Sequence, residues 1–356
     1  TTQARVKYNN RKSEILLVDA ERISTLANLC RSALYPQQRL ADAWEKVMFN
    51  QFHDILPGSS IKSVYQDSEE DYTWIRKIGE DIIKGSLDKI SSQVDTSGVA
   101  GQPVVVFNSL SWPREAIVSI PAFLSRDYVV RDSEGNKCLF QKIEEKDFAS
   151  KEEKSLLLCK AKLPSFGYTT LFIEERNEAK PKIGEQNKGL LKVGKYSLEN
   201  EFFEVHINPT SGNLVSIYDK RKEREVLASE GNQLQILEED KSRNDAWNIA
   251  YTGREWFLDK VENIEVIEEG PLRGVIRVWR SFLGDTKLNV FWDAPARDYP
   301  SSSFVQDIIL YEGLPRIDFV TQVDWWEDNK LLKVAFPVRA KGKYATYEIP
   351  FGSILR

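Results

Sequence analysis

The sequence predicts an α+β protein of more than one domain, in which a three-helix bundle is followed by a large antiparallel β-sandwich. Apolar residues recur at helical spacing up to about residue 97, and beyond it they alternate with a period of two. No helical patterns separate the strand patterns, which favours antiparallel sheets. The chain has 356 residues, enough for two or three domains of roughly 150 residues. We therefore expect an N-terminal segment and bundle over residues 1–97. Residues 98–356 are expected to form β-sandwich structure that continues beyond the end of the chain.

Three amphipathic patterns predict the helices, over residues 14–32, 37–55 and 61–94. Pro36 follows the first pattern, and a Leu-Pro-Gly-Ser-Ser break over residues 56–60 separates the second from the third. The apolar stripe of the second helix comprises Leu40, Ala43, Trp44, Val47, Met48, Phe52 and Ile55. Because the connections are short, the helices should pack as antiparallel neighbours.

Alternating apolar residues predict the strands of the second region. They cover residues 104–107, 128–130, 138–140, 156–163, 168–173, 202–207, 214–218, 274–279, 287–291, 305–311, 317–323 and 331–338. A turn at residues 133–136 joins two of them as a hairpin. The number of strands predicts a large sandwich.

Composition excludes several classes of protein. The 49 Lys+Arg and 54 Asp+Glu residues give a net charge of −5, without the excess of basic residues expected of a nucleic-acid-binding protein. Uninterrupted apolar runs are too short to span a membrane. Cys30, Cys138 and Cys159 have no metal-binding spacing, and an odd, small number of cysteines indicates reduced thiols and a cytoplasmic location. The chain starts with Thr1 and its only methionine is Met48, so we expect it to be part of a longer protein.

His53 is the most prominent candidate for chemistry, since it lies in the densest polar cluster of the helical region. At about 100° per residue, His53 lies roughly opposite Trp44 and shares an outward face with Phe49. An outward Phe beside a His suggests a second interface. Spacing alone leaves two interpretations open: His53 favours the helix C-terminus electrostatically, or it is a ligand or catalytic group. Asp54 follows where the backbone leaves the helix.

The number of histidines limits any metal site. A catalytic zinc needs about three protein ligands, and the chain has only two His, His53 and His206. In the pattern of residues 202–207, His206 shares the polar face of a strand with Glu204, which favours a role without chemistry. This chain alone therefore cannot assemble a histidine-rich site.

Other candidates are weaker. Asp245 and Trp247 fall in a polar loop, where the ring could stack on a sugar and the carboxylate could accept hydrogen bonds from hydroxyls; a loop acid beside an anchoring Trp is the alternative. The acidic and aromatic run at residues 324–327 follows a strand, which favours core packing. Phosphate loops, nucleophile elbows and dinucleotide fingerprints are not found. The pair of carboxylates that hydrolyses glycosides cannot be picked out, so we assign no catalytic residue within the chain.

Residues 50–61, Asn-Gln-Phe-His-Asp-Ile-Leu-Pro-Gly-Ser-Ser-Ile, resemble the hallmark of family-38 glycoside hydrolases, the α-mannosidases. Less specific similarities to the same family follow in the expected order at residues 106–112, 213–220, 245–247 and 331–337. The resemblance covers essentially the whole chain. It implies an N-terminal α/β catalytic barrel, a three-helix bundle and large, supersandwich-like β domains, of which this chain would hold the last two.

The resemblance also implies a chemistry. In the family a catalytic zinc is bound by a His-x-Asp pair and the nucleophile Asp of the barrel and by a His of the bundle, and hydrolysis retains stereochemistry. His53 matches the bundle ligand, and Asp54 matches the acid that contacts substrate hydroxyls. The sequence has no His-x-Asp, so the nucleophile, the acid/base and most zinc ligands are expected in a catalytic domain outside this chain. The substrate would be an α-mannoside or an oligosaccharide.

Two other classes of function remain open. One is a stand-alone carbohydrate-binding or scaffolding module without catalysis. The other is a different sugar enzyme with a similar sandwich, such as a lyase or a mutarotase.

Overall fold

A computed structural model describes residues 3–30, 33–146, 153–176, 191–240, 247–284, 301–349 and 352–356. The chain forms two compact units. The first comprises Thr1–Glu145, Glu153–Gly184 and Glu239–Tyr251, and the second Lys146–Glu152, Glu185–Glu238 and Thr252–Arg356. The described elements are three helices followed by strands in antiparallel ladders, which confirms the predicted α+β class.

The helices are α1 (Ala4–Leu29), α2 (Gln37–Asn50) and α3 (Lys62–Ser91). Two predicted limits were wrong. Helix α1 starts at Ala4 and not at residue 14, because its first turns bury polar Asn10 and Ser13 beside Val6, which hides the apolar period. Helix α2 ends at Asn50 and not at residue 55, and residues 51–58 form successive turns.

A single apolar core holds the bundle together. Its buried members are Val6, Leu17, Ala20, Leu40, Ala43, Val47, Ile55, Tyr72, Ile75 and Ile82. Trp44 is partly buried and packs against this core, and its Nε1 donates a hydrogen bond to Glu21 Oε1 at 2.6 Å. Met48 and Phe52, which the sequence placed on the core stripe, are exposed instead. The buried face of α2 consists of Leu40, Ala43, Val47 and Asn50, which is a narrower face than the predicted stripe. Phe52 lies beyond the end of the helix.

The first unit also contains a small sandwich. Its strands are β1 (Gln102–Asn108), β2 (Arg114–Pro121), β3 (Asp127–Arg131), β4 (Phe140–Lys146), β5 (Glu153–Leu163) and β6 (Gly167–Arg176). Sheets β1-β6-β3 and β2-β5-β4 enclose a core that includes Leu157, Cys159 and Leu171. Ser109 Oγ donates to Asp19 Oδ1 of α1 at 2.9 Å, which links this region to the bundle.

The strands of the second unit form a larger, layered assembly. They are β7 (Lys192–Gly194), β8 (Ser197–Glu199), β9 (Phe203–Ile207), β10 (Leu214–Asp219), β11 (Arg224–Glu225), β12 (Gln233–Glu239), β13 (Tyr251–Phe257), β14 (Asn263–Glu269), β15 (Arg273–Phe282), β16 (Ser302–Tyr311), β17 (Ile317–Asp324), β18 (Lys330–Ala335), β19 (Thr346–Ile349) and β20 (Gly352–Leu355). Sheet β11-β10-β9-β8-β7 packs on β14-β15-β16-β17 through one apolar core, and β13-β12-β18 shares a second core with β16.

Several strands escaped prediction, among them β2, β7, β8, β12, β13 and β14. The predicted turn is confirmed, since Asp132 N donates to Asn136 O at 3.0 Å, and the chain after it returns antiparallel to β3, with Cys138 N donating to Val130 O at 2.8 Å. The strand that follows, β4, then pairs with β5. Predicted strand 287–291 lies outside the described residues. The boundary between residues 97 and 98 stays a prediction, because the first unit contains residues on both sides of it.

The sequence predicts neither a membrane-spanning segment nor disulfides. No helix in the described part of the chain is long and apolar enough to cross a membrane. Cys30, Cys138 and Cys159 are all described, and none forms a disulfide. Burial raises the pKa of the Cys159 thiol to about 12.

We expect Gly212→Ala to destabilise the second unit more than Gly253→Ala. Both glycines have positive φ, 69° and 93°, so each substitution strains the backbone. A Cβ on Gly212 would also lie 2.6 Å from Val278 Cγ1 and 2.7 Å from Arg280 Nη2, whereas one on Gly253 meets open space. The difference in the free energy of unfolding should be about 1–3 kcal/mol, measured by urea denaturation. Equal losses would contradict this packing.

We expect thiol reagents to modify Cys30 in the native chain and Cys159 only after unfolding. Cys30 is exposed, whereas Cys159 is buried with a pKa of about 12. At pH 8 such a thiol is only about 0.01% thiolate, the reactive form. Mass spectrometry after timed alkylation gives the order of modification. Native labelling of Cys159 at the rate of Cys30 would contradict the buried placement.

Candidate functional site

The candidate site lies in the loop that joins α2 to α3, which we call the His53 loop (residues 51–60). Main-chain bonds shape it into tight turns: Phe52 N donates to Phe49 O at 3.2 Å, and Ile55 N donates to Phe52 O at 2.9 Å. Gly58 has φ 97°, a conformation that favours glycine and reverses the chain before α3. The loop thus lies at one end of the bundle.

The His53 side chain points into solvent. It is 75% exposed, and its Nε2 lies 3.6 Å from Asp54 Oδ2, beyond hydrogen-bond distance. Its ring centroid is 4.2 Å from that of Phe52. Most of the imidazole surface is therefore in contact with solvent. The outward placement agrees with the sequence prediction, although His53 lies in a turn and not on a helix, and its role as a ligand stays a prediction.

Three exposed apolar side chains lie within five residues of His53 along the chain, and the ring of one of them, Phe52, contacts it. Met48, Phe49 and Phe52 are 61%, 68% and 55% exposed. Large apolar side chains that cluster in solvent next to a polar group are typical of interaction surfaces. The predicted outward face of Phe49 is observed, and two further apolar residues join it. We call Met48, Phe49 and Phe52 the apolar rim of the site.

Asp54 is held by its own loop. Its Oδ1 accepts a hydrogen bond from Ser59 Oγ at 3.3 Å. Its carbonyl oxygen accepts from Ser60 Oγ at 2.8 Å and from the Tyr65 hydroxyl at 3.2 Å. Its Oδ2 faces His53, so an imidazole and a carboxylate are presented side by side.

A nitrogen and an oxygen donor are ligand types that zinc accepts, so the pair fits part of a zinc site. A complete site needs about three protein ligands, and the described residues contain no group of three His, Cys, Asp or Glu arranged to hold a metal. The loop therefore offers one or two donors and requires the others from elsewhere.

The remaining sequence candidates lie apart from this loop. Asp245 is outside the described residues. Trp247 lies in an exposed turn before β13, and its role in sugar binding stays a prediction. His206 Nε2 lies 2.8 Å from Glu204 Oε1, on the polar face of β9 as the alternation predicts. In the run 324–327, Glu327 is buried and forms an ion pair with buried Lys330 at 3.2 Å, and Trp325 packs against an apolar core, whereas Asp324 and Trp326 are exposed. The predicted core packing therefore holds for part of this run.

Two family models match the chain. The model described as "Alpha mannosidase middle domain" matches residues 1–90, and "Glycosyl hydrolases family 38 C-terminal domain" matches residues 198–356. The two matches identify these regions as the middle and C-terminal domains of a glycoside hydrolase. The chain belongs to glycoside hydrolase family 38, the α-mannosidase family.

Curated relatives agree with this assignment. The chain is 29% identical over 369 residues to human Alpha-mannosidase 2C1, covering 100% of this chain and 30% of the relative. It is 28% identical over 377 residues to Alpha-mannosidase G of Dictyostelium discoideum, covering 100% and 33%. The chain thus spans about a third of the length of these relatives.

Solved structures share the fold. A family-38 glycosyl hydrolase from Enterococcus faecalis superimposes with a TM-score of 0.79 at 15% sequence identity, over 100% of this chain and 47% of that one. An α-mannosidase from Enterococcus faecalis V583 gives 0.77 at 16% identity, over 100% and 45%. At these identities the likeness shows the fold alone.

We expect His53→Ala to leave the stability of the chain nearly unchanged. The side chain packs against no core, so the free energy of unfolding should change by no more than about 0.5 kcal/mol. The control is Leu40→Ala in the same bundle, where a buried side chain is lost at a cost of about 2–5 kcal/mol. Denaturant unfolding measures both. A His53 variant as unstable as the Leu40 variant would mean that the imidazole is part of the bundle core.

Proposed function

We propose that this chain is the helical-bundle and β-sandwich portion of a zinc-dependent, retaining α-mannosidase. Its share of the chemistry is one zinc ligand, His53, and one substrate contact, Asp54. The nucleophile, the acid/base and the other ligands belong to a catalytic barrel outside this chain. The three cysteines outside disulfides agree with a cytoplasmic location, which is part of the proposal.

The exposed His53–Asp54 pair is the observation that carries this proposal. An imidazole that is 75% exposed and lies beyond hydrogen-bond distance of Asp54 contributes little to the bundle, whereas a ring nitrogen is a donor that zinc accepts. The membership of the chain in family 38 supports the same role.

Each residue has a distinct task in the proposed reaction. His53 would supply a neutral ring nitrogen to the metal, and Asp54, with Oδ1 already bound to Ser59, would accept hydrogen bonds from sugar hydroxyls through Oδ2. When bound, zinc would orient the sugar and stabilise developing charge. The apolar rim would pack against the barrel and exclude water from the ligand.

The apolar rim suits a docking surface, but a stand-alone module could also expose Met48, Phe49 and Phe52 to bind a partner or a sugar. The curated relatives are much longer than this chain, which covers 30% of human Alpha-mannosidase 2C1, and a barrel within that additional length would cover the rim. The length of the relatives therefore favours a larger enzyme, with the isolated module as the alternative outcome of the tests.

We expect the chain alone to be inactive toward an aryl α-mannoside and to retain no zinc after dialysis. The described residues hold no complete ligand set, and the two catalytic carboxylates are proposed to lie elsewhere. Release of the aryl group, with and without added zinc, is measured beside metal content. Zinc-dependent turnover by the chain that Asp54→Asn abolishes would place the whole site within it and contradict the proposal. Zinc-independent binding of mannosides without turnover would favour the module.

In the full-length protein, His53→Ala should lower zinc affinity by more than about 100-fold, beyond the range typical of losing an outer-shell partner, and remove nearly all activity. The matched control is His206→Ala, since the chain has only these two histidines. His206 pairs with Glu204 on strand β9 of the second unit, whereas the His53 loop belongs to the first unit. His206→Ala should keep both zinc and rate. A His53 variant that retains its zinc and its rate would exclude this residue as a ligand.

A further inference from the structure

The backbone on the C-terminal side of His53 is fixed by a convergence of donors. Ser60 Oγ, the Tyr65 hydroxyl and Ser59 N donate to the carbonyl oxygen of Asp54 at 2.8, 3.2 and 3.2 Å. The same Tyr65 hydroxyl accepts a hydrogen bond from Ser60 N at 2.8 Å. Tyr65 belongs to the first turns of α3, so this hydroxyl bridges two backbone groups of the His53 loop and ties them to that helix.

The N-terminal side of His53 is fixed to the other long helix. Gln51 Nε2 lies 3.1 Å from both Asn10 Oδ1 and Glu14 Oε1 of α1. Asn10 Nδ2 donates to the same Glu14 oxygen at 2.8 Å, which orients both acceptors. Gln51 is thus anchored by side chains that are themselves held in place.

The anchoring stops at the backbone. Gln51 and the Asp54 carbonyl flank His53 on either side, yet the imidazole itself is 75% exposed and only approaches Asp54 and Phe52. A fixed backbone lowers the entropic cost of presenting this ligand, because only the rotamer of the exposed imidazole is left to be ordered on binding. Groups that orient a ligand without touching the metal commonly change metal affinity by about 10–100-fold.

We infer that Gln51 and Tyr65 are positioning residues, which hold the His53–Asp54 pair in the orientation that the metal and the sugar require. This inference rests on the proposed function of the pair. Neither residue touches the metal or the substrate in this role. Each acts through the backbone of the His53 loop, Gln51 from α1 and Tyr65 from α3.

Tyr65→Phe in the full-length protein tests the inference, because it removes the bridging hydroxyl and keeps the ring that packs on the bundle core. Zinc affinity, measured by competition with a chelator, should fall about 10-fold. The visible spectrum of the cobalt-substituted protein should change, since the geometry of the imidazole ligand changes. Gln51→Ala should act in the same direction from the other side of the loop, and it provides a second test should Tyr65→Phe fail to fold.

The matched control is Tyr128→Phe. The Tyr128 hydroxyl likewise bridges a backbone pair, donating to Phe123 O at 3.0 Å and accepting from Phe123 N at 2.9 Å, but in the small sandwich and not beside His53. Its loss should lower the unfolding temperature without moving zinc affinity or the cobalt spectrum.

The outcomes separate the two ideas. Should Tyr65→Phe and Gln51→Ala keep zinc affinity within about twofold while His53→Ala loses the metal, the positioning role is wrong and the proposed function stands. If Tyr65→Phe and Tyr128→Phe lowered zinc affinity equally, the loss would reflect reduced stability alone. That result would also overturn the positioning role. Retention of zinc by His53→Ala would instead remove the proposed function on which the inference rests.

Discussion

The placement of the candidate site depends on how helix α2 ends. Asn50, its last residue, is buried, and its Nδ2 donates to Lys46 O at 2.9 Å and to Asp71 Oδ2 of α3 at 3.0 Å. Lys46 pairs with the other oxygen of Asp71. A buried amide left without partners would cost about 1–3 kcal/mol, so these bonds fix the end of α2 against α3. The turns that follow carry Phe52 and His53 outside the core before Ile55 returns to it.

The sequence predicted the three helices because their apolar periods are long, but tertiary contacts set their limits. The first turns of α1 bury Asn10 and Ser13, which an apolar count treats as solvent-facing. Helix α2 stops at a polar contact with Asp71, 21 residues further along the chain, which no local pattern reports. Phe52 was placed in the core by extending a helix that had already ended. Strands such as β14, in which three of seven residues are apolar, lack the apolar density that identified their neighbours.

Only part of the site was predictable from the sequence. The exposure of His53 was predicted correctly, but the structure gives a different reason for it. A helical wheel put His53 outside, whereas the structure puts it outside through a turn. The motif at residues 50–61 indicated its identity, but not how it is held. Tyr65 falls within the third predicted helix, over residues 61–94, and its ring packs against the bundle core as an apolar residue would, while its hydroxyl reaches Asp54 across 11 residues. Periodicity describes which face a ring occupies and says nothing of where its polar end bonds.

A ligand presented from the bundle has a thermodynamic consequence under the proposed function. If His53 completes a zinc site whose other ligands lie in a barrel, then docking of the two parts raises zinc affinity, and zinc raises the affinity of docking by the same factor. The apolar rim adds a contribution that is independent of the metal, because burying it against the barrel is favourable with or without zinc. The rim would therefore keep the apo enzyme assembled, and His53 would make the final geometry depend on the metal. Fixing the backbone of the loop while leaving the imidazole exposed meets both requirements, since the rim and the ligand lie together where α2 joins the His53 loop.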